Sequence, residues 1–298
     1  MNIFITGLGS FIGQELFRQC TQTGHTVSGV DLVSSDLANS RVADIRDPAI
    51  ADLIPEGADA IIHLAALSRD PDCQDKGYEC FDANVMGTLN LMNAAQAKGV
   101  KQFIFASTEW VYTGFEDGLE KTEESVIDVQ ALTSEYALSK LVTEANLRQK
   151  YSRGFCPVTI LRLGIIYGPR ANNWSAVEAL LNTVATQDDV TVGALATARR
   201  FIHVSDISRA FRQSVGLDGF HILNIQGAEL VRLGDVIETS KRLLNKQTVV
   251  AEKDSANPSI RRVSADKAKT AIDFTAEISL EQGLRDVIAF LDLEKVFK

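Results

Sequence analysis

Tyr136 and Lys140 stand four residues apart in Tyr136-Ala-Leu-Ser-Lys140, the spacing that puts two side chains on one face of a helix. A phenol beside an ammonium is a potential acid/base pair. Free tyrosine titrates near ~10, too high for a base at neutral pH, and a nearby cation lowers that value by stabilising the phenolate. The flanking residues predict the helix this geometry needs. Thr133 or Ser134 can cap it, and Glu135 to Arg148 contains neither Gly nor Pro. Tyr and Lys are also common on solvated helix faces, so the pair acquires meaning only from the elements that would position it.

Those elements begin at residue 1. Met1 to Thr6 is a short apolar run that reads as a buried strand, followed at once by Gly7-Leu-Gly9-Ser10-Phe11-Ile12-Gly13. An amphipathic stretch with Leu16, Phe17 and Cys20 on one side then runs to Gly24, and Val27 to Asp31 reads as a second strand. Strand, glycine turn, helix and strand, with an acid at the end, are the parts of a dinucleotide site. Glycines admit the pyrophosphate, the helix N-terminus offers free N–H groups, and the carboxylate accepts from ribose hydroxyls. The interval from Gly7 to Asp31 is close to the expected ~20 residues. Asp31 favours NAD, because its charge repels a 2′-phosphate; Arg41, the nearest basic residue, keeps NADP as the alternative.

Farther along, strand and helix signals alternate, which predicts an α/β fold with a parallel sheet covered on both faces. Strands are expected near 2–6, 27–31, 41–45, 58–65, 101–107 and 157–163, with a later pair near 201–204 and 220–224. Asp47-Pro48 predicts a helix start, and a long helix is expected from near Gln74 to Gly99. Ser279-Leu-Glu-Gln282 has the form of a capping box before an amphipathic helix. The acidic stretch from Gly114 to Asp128 reads as a solvated flap, with a substrate-covering lid as the alternative.

Composition narrows the function classes. A hydrophobic share of 45% with 23% charged residues suits a globular protein, and a net charge of −9 argues against nucleic acid or an anionic membrane as partner. No apolar run approaches the ~20 residues of a membrane span. Met1 leads directly into the first strand, so no leader is expected and the expected compartment is the cytoplasm. Cys20, Cys73, Cys80 and Cys156 lack CxxC spacing and read as free thiols; no metal site is expected. His63, His203 and His221 fall in apolar strand runs and read as core histidines.

Taken together, Tyr136, Lys140 and the glycine turn make the chain resemble the extended short-chain dehydrogenase/reductase family, in its branch of NAD-dependent sugar epimerases and dehydratases. Thr6 to Gly13 is similar to the family's TGxxGxxG. Asp44-Ile45 is similar to its adenine-holding pair, and His63-Leu64-Ala65-Ala66 to the strand end along the cofactor. Asn84 to Thr88, Phe105-Ala-Ser107-Thr108 with Val111-Tyr112, Leu161 to Arg170, and Arg199 to Asp206 follow in the family's order.

The resemblance implies a Rossmann-type doubly wound parallel sheet with a smaller C-terminal α/β substrate-binding part. The NAD-binding domain would span 1–165, completed by segments after about 200, and 167–298 would be mostly substrate-binding. It implies Thr108, Tyr136 and Lys140 as the catalytic group, Lys140 also holding the nicotinamide ribose. The cofactor residues would be Gly7, Gly9, Ser10, Phe11, Ile12, Gly13, Asp31, Asp44, Ile45, Leu64, Ala65 and Ala66. The substrate residues would be Glu109, Trp110, Arg170, Arg199 and Arg262, with Arg200 and Arg261 in the same segments, since a diphosphate can be gripped by arginine. Glu109 is open to an auxiliary acid/base role or a structural one, and Trp110 to sugar stacking or packing.

The sequence also departs from the family pattern. Ser10 stands where a glycine is usual, Ile165 where an Asn often contacts substrate, and Trp110 where dehydratases carry the Glu that elimination needs. The implied activity is therefore epimerisation of a nucleotide sugar. Alternatives are a one-way dehydrogenase or reductase of a sugar or small alcohol, and an NAD sensor without turnover, which has no need of Thr108, Tyr136 and Lys140. A homodimer through helices near 80–97 and 134–150 is implied by resemblance alone.

Overall fold

A computed structural model describes residues 1–293. Seven strands, β1 (Asn2–Thr6), β2 (Thr26–Asp31), β3 (Ser40–Val42), β4 (Ala60–His63), β5 (Phe103–Thr108), β6 (Val158–Leu163) and β7 (Phe220–Ile225), form one sheet in the order 3-2-1-4-5-6-7. Every pairing in it is parallel. Parallel strands need crossovers on the faces, so the central ones are buried on both sides and read as continuous apolar runs. Ala60–His63 and Phe103–Thr108 are buried throughout.

Two apolar layers flank the sheet. One gathers Leu16 and Cys20 of α1 (Phe11–Gln22) with Ile207, Phe211 and Ala268. The other joins Leu91, Met92 and Ala95 of α2 (Gly87–Ala97) to Leu147 of α3 (Glu135–Tyr151). A third cluster, away from the sheet, packs the helices Ala176–Thr186, Leu233–Leu244 and Leu280–Phe290 around Val177, Leu181, Ile237 and Leu284. This is the Rossmann-like α/β architecture with a smaller C-terminal α/β part. Among the described residues no helix is long and apolar enough to cross a membrane.

Three local expectations change. The strand expected at 41–45 ends at Val42, leaving Asp44 and Ile45 in the loop beyond the sheet. The strand near 201–204 is only Ile202–His203; it pairs with Ile166–Tyr167 outside the main sheet, and a helix starts at Val204. The helix expected from Gln74 is interrupted. It starts at Gly77 and widens into a π-turn over Asp82–Met86 before α2. The widening accommodates the buried Asn84 amide, whose Oδ1 accepts from Leu67 N (2.8 Å) while Nδ2 donates to Leu67 O (3.0 Å) and Ser139 Oγ (2.9 Å).

Beneath the C-terminal ends of β5 and β6 lies a buried ion pair. Arg162 donates from Nε and Nη2 to the two carboxylate oxygens of Glu144 (3.0 and 2.6 Å), with side chains 5% and 4% exposed. Ser107 Oγ donates to the same carboxylate (2.5 Å), and Arg162 Nη1 to the Tyr112 hydroxyl (2.9 Å). Tyr112 in turn donates to Asn224 Oδ1 (2.8 Å). Removing one partner leaves a buried charge uncompensated. Glu144→Gln and Arg162→Met should each lower unfolding free energy by roughly 3–5 kcal/mol in urea titrations, and the double variant by less than their sum.

Candidate functional site

The glycine turn is shaped by contact. Gly7 has φ +75°, and a Cβ there would come within 2.9 Å of Ala65 N, while a Cβ on Gly13 would strike the Gly7 carbonyl. Ser10 caps α1, its Oγ accepting from Gly13 N (3.1 Å), so the residue in place of the usual glycine holds the turn by its side chain. Phe11 and Ile12 open α1, and first-turn amides have no intrahelical acceptor. Asp31 ends β2; its Oδ2 accepts from Gly9 N (3.0 Å) and its Oδ1 from Val33 N (3.2 Å), which aims the carboxylate along the turn.

Leu64 N and Ala65 N both donate to the Thr6 carbonyl (3.0 and 3.1 Å), bringing the end of β4, and Ala66 after it, beside the turn. Across it, Arg46 grips the Asp44 carboxylate and holds it below the ordinary range, and Asn90 Nδ2 donates to the Ile45 carbonyl (2.8 Å). A backbone cradle closed to any Cβ, a free helix N-terminus and an aimed carboxylate fit a dinucleotide.

His63 is structural, as read from the sequence. It pairs with Thr6 (2.6 Å) and Thr88 (2.8 Å), and burial, with Lys140 nearby, pushes it down to about 3. His203 is buried, but its Nε2 has no hydrogen-bond partner. His221 is only half-buried, on the edge strand β7, where Nε2 meets the Asp218 carbonyl (2.6 Å). An apolar sequence run did not reveal that β7 lies at the sheet's edge.

Ser134 caps α3, accepting from Ala137 N (3.1 Å), and the helix carries Tyr136 and Lys140 to the end of β5. The Thr108 hydroxyl accepts from Trp110 N (3.2 Å) and lies near enough to the Tyr136 phenol to pull its pKa downward. Lys140 Nζ donates to the Ala106 carbonyl (2.8 Å) and lies 5.8 Å from the Tyr136 ring centre. The three expected catalytic residues therefore converge.

Their electrostatics differ from the sequence expectation that Lys140 lowers the phenol's pKa. Burial raises the Tyr136 phenol well above its ordinary value, with Thr108 opposing, and burial pushes Lys140 down to about 8. Desolvation penalises the charged form of both and is the largest influence on each, so the phenol is protonated at neutral pH.

The expected substrate residues divide into two groups. Arg170 pairs with the fully buried Glu178 (2.7 Å) and lies over the Phe11 ring, joining the C-terminal part to the glycine turn. Beyond Thr108, Glu109 is 3% exposed, and burial raises its carboxyl to about 7 against the pull of Arg261, Arg199 and the Gln226 amide. Arg261 lies over the rings of Trp110 (5.2 Å) and Phe115 (5.3 Å). Arg199, pushed down to about 10 by burial and by Arg261, donates to the Ser259 carbonyl (2.6 Å) and Oγ (2.9 Å).

The acidic stretch is largely exposed, as expected of a solvated flap, but several of its carboxylates are tied to the rest of the fold. Glu120 pairs with Arg200 (3.1 Å), Glu123 accepts from Asn224 N (2.6 Å), and Glu124 pairs with Lys267 (2.9 Å). Arg262 donates to the Gly118 carbonyl in the same stretch (3.3 Å). Cys20, Cys73, Cys80 and Cys156 are free thiols. Among the described residues no cluster of His, Cys, Asp or Glu could hold a metal.

Comparison with known proteins gives this geometry a lineage. Residues 3–225 match the NAD dependent epimerase/dehydratase family. The chain belongs to that family. It is 28% identical to the uncharacterized UDP-glucose epimerase YtcB of Bacillus subtilis, over 98% of each chain. It is 24% identical to the UDP-glucuronate 4-epimerase of Thermodesulfobacterium geofontis, over 95% of this chain and 94% of that one. The structure of MoeE5 in complex with UDP-glucose and NAD superposes with a TM-score of 0.85 at 25% identity, covering 98% of this chain and 99% of that one.

Sequence reasoning missed two features of this epimerase/dehydratase chain. One is the Arg162–Glu144 pair, whose members are 18 positions apart with no local pattern to join them. The other is Gln226, which follows β7 and meets Glu109 only in the fold.

Two outcomes are expected. Tyr136→Phe should lower turnover by roughly 10²–10⁴-fold without changing NAD affinity, measured by calorimetry beside steady-state rates. Glu109 supplies a stability test. Between pH 4.5 and about 7 the folded chain keeps a proton that the unfolded chain releases, so stability falls as pH rises across that window. The cost is fully present above pH 7, on the order of 3 kcal/mol, and absent below the unfolded value. Glu109→Gln should therefore melt higher than the parent at pH 8 and no higher at pH 4.

Proposed function

We propose that this protein is an NAD-dependent nucleotide-sugar epimerase, oxidising one alcohol carbon of a bound sugar and reducing it again from the other face. The observation that carries this reading is the convergence of Thr108, Tyr136 and Lys140 at the end of β5, with Trp110 rather than a second carboxylate beyond Glu109. That set serves proton transfer at one hydroxyl. Abstraction of a carbon-bound proton, which elimination requires, has no carboxylate at Trp110 to perform it.

The steps assigned to the chain's own residues are few. Tyr136 takes the hydroxyl proton as the carbon gives up hydride, and returns it when the carbonyl is reduced, so atoms and electrons balance over the cycle. Thr108 orients the reacting oxygen by hydrogen bonding. Lys140, one turn along α3, supplies positive charge beneath the phenol and would hold the nicotinamide ribose. When bound, nicotinamide accepts and returns the hydride and adds the positive charge that the buried phenol lacks. Residues Gly7, Gly9 to Gly13, Asp31, Asp44, Ile45 and Leu64 to Ala66 would hold that cofactor.

Arg199 and Arg262, with Arg261 beside them, are proposed to face the diphosphate, since their guanidinium groups are held by backbone carbonyls or aromatic rings rather than by carboxylates. Arg170 would border the same substrate from the glycine-turn side. The UDP-sugars acted on by curated relatives, and UDP-glucose bound to MoeE5, support this substrate class. The division at about residue 165, a cytoplasmic setting and a homodimer through α2 and α3 complete the proposal.

Incubation with NAD⁺ and a panel of UDP- and dTDP-hexoses, followed by NMR of the sugar and by absorbance of NADH, tests the reading. An inverted stereocentre without net NADH is expected. Stoichiometric NADH would establish a one-way dehydrogenase instead.

A further inference from the structure

The C-terminal ends of three adjacent strands meet beside Tyr136. β5 ends in Thr108 and continues into Glu109; β6 ends in Leu163 and continues into Gly164; β7 ends in Ile225 and continues into Gln226. The register sets Thr108 beside Leu163 and Leu163 beside Ile225, and Gly164 N donates to the Ile225 carbonyl (2.9 Å). Ligands of open parallel sheets bind outside these strand ends.

Gln226 is 1% exposed and its amide lies near enough to Glu109 to pull on the carboxyl, yet neither Nε2 nor Oε1 of the amide, nor Oε1 of Glu109 (3% exposed), makes a hydrogen bond of good geometry. Buried polar atoms without partners are rare, because each forfeits its hydration. Three of them within one small group, next to the threonine near the phenol, need an occupant. Gly164 makes room for the amide, since a Cβ there would stand 2.5 Å from Gln226 Oε1.

We propose that Gln226 and Glu109 form a subsite that reads hydroxyl groups of the sugar ring next to the reacting carbon. The chemistry of the unpaired atoms selects this ligand. An amide offers two donors and one acceptor, and a hydroxyl group needs both kinds at once. A phosphate accepts only; the amide Oε1 and the Glu109 oxygen would both oppose it, and Arg199 and Arg261 flank the group to take the anion. The proposed order then runs from Tyr136 and Thr108, through Gln226 and Glu109, to the arginines. Glu109 and Gln226 are specificity residues here, and the proposal rests on the nucleotide-sugar reading above.

The NAD-loaded protein allows a test in which folding and recognition move in opposite directions. Gln226→Met replaces an amide that makes no well-formed hydrogen bond with an apolar chain of similar length. It should leave the melting temperature unchanged or raised, whereas an amide with a structural role would make it fall. Calorimetric affinity for UDP alone should not change. Affinity for the UDP-hexose turned over by the parent should fall by about tenfold or more, and the parent's discrimination against the analogues lacking one ring hydroxyl should disappear. Gly164→Ala, which displaces the amide, should reproduce these losses.

A melting temperature lowered in Gln226→Met, or undiminished hydroxyl discrimination in both variants, overturns the subsite. Turnover of a UDP-hexose that is insensitive to Gln226 removes this proposal and leaves the epimerase reading standing. Failure of every nucleotide sugar to bind the parent removes both.

Discussion

The arrangement of the candidate site depends on a charge pair taken out of water. Glu144 lies one turn beyond Lys140 on α3, and Arg162 lies on β6. Their two-pronged contact, with Ser107 of β5 donating to the same carboxylate, fixes α3 against the two strands whose ends carry the chemistry. Ser107 immediately precedes Thr108. The pair therefore sets the distance between the threonine on the sheet and the tyrosine and lysine on the helix. Such a pair contributes little net stability relative to apolar packing, but its geometry admits few alternatives.

Burial at that junction has an electrostatic consequence. The phenol is driven up and the ammonium down by the same loss of water, so the two groups do not activate one another in the cofactor-free protein. Lys140 alone does not offset that loss, and on the proposed reading a bound dinucleotide would add the missing positive charge. Under the proposed function, proton transfer would then be coupled to occupancy of the dinucleotide cradle.

On the far side of Thr108 the charges follow a different rule. Arg199 is held by backbone carbonyls, and Arg261 by two aromatic rings, so each is positioned while its charge is not cancelled by a carboxylate in contact. Arg170 is the opposite case. Its charge is taken up by the buried Glu178, and it serves to fasten the C-terminal part to the turn around Phe11. The acidic stretch is tied to Arg200, to the β7 residue Asn224 and to Lys267 through Glu120, Glu123 and Glu124.

Local pattern was sufficient wherever one segment contains all the atoms that matter. The glycine turn with its flanking strand and helix, Asp31, the Ser134 cap and the four-residue step from Tyr136 to Lys140 all lie within short stretches, and their backbone requirements are written in residue type. Length and amphipathic period were equally sufficient for the alternation of strands and helices. Three matters were left to tertiary structure. The sign of the Tyr136 shift depends on how much water the assembled sheet and helices exclude. The interruption of the helix before α2 depends on Asn84 reaching Leu67 and Ser139, contacts between segments. The approach of Gln226 to Glu109 depends on β7 lying beside β6. Each is a contact between residues distant in the chain, and periodicity carries no record of which distant strand will become a neighbour.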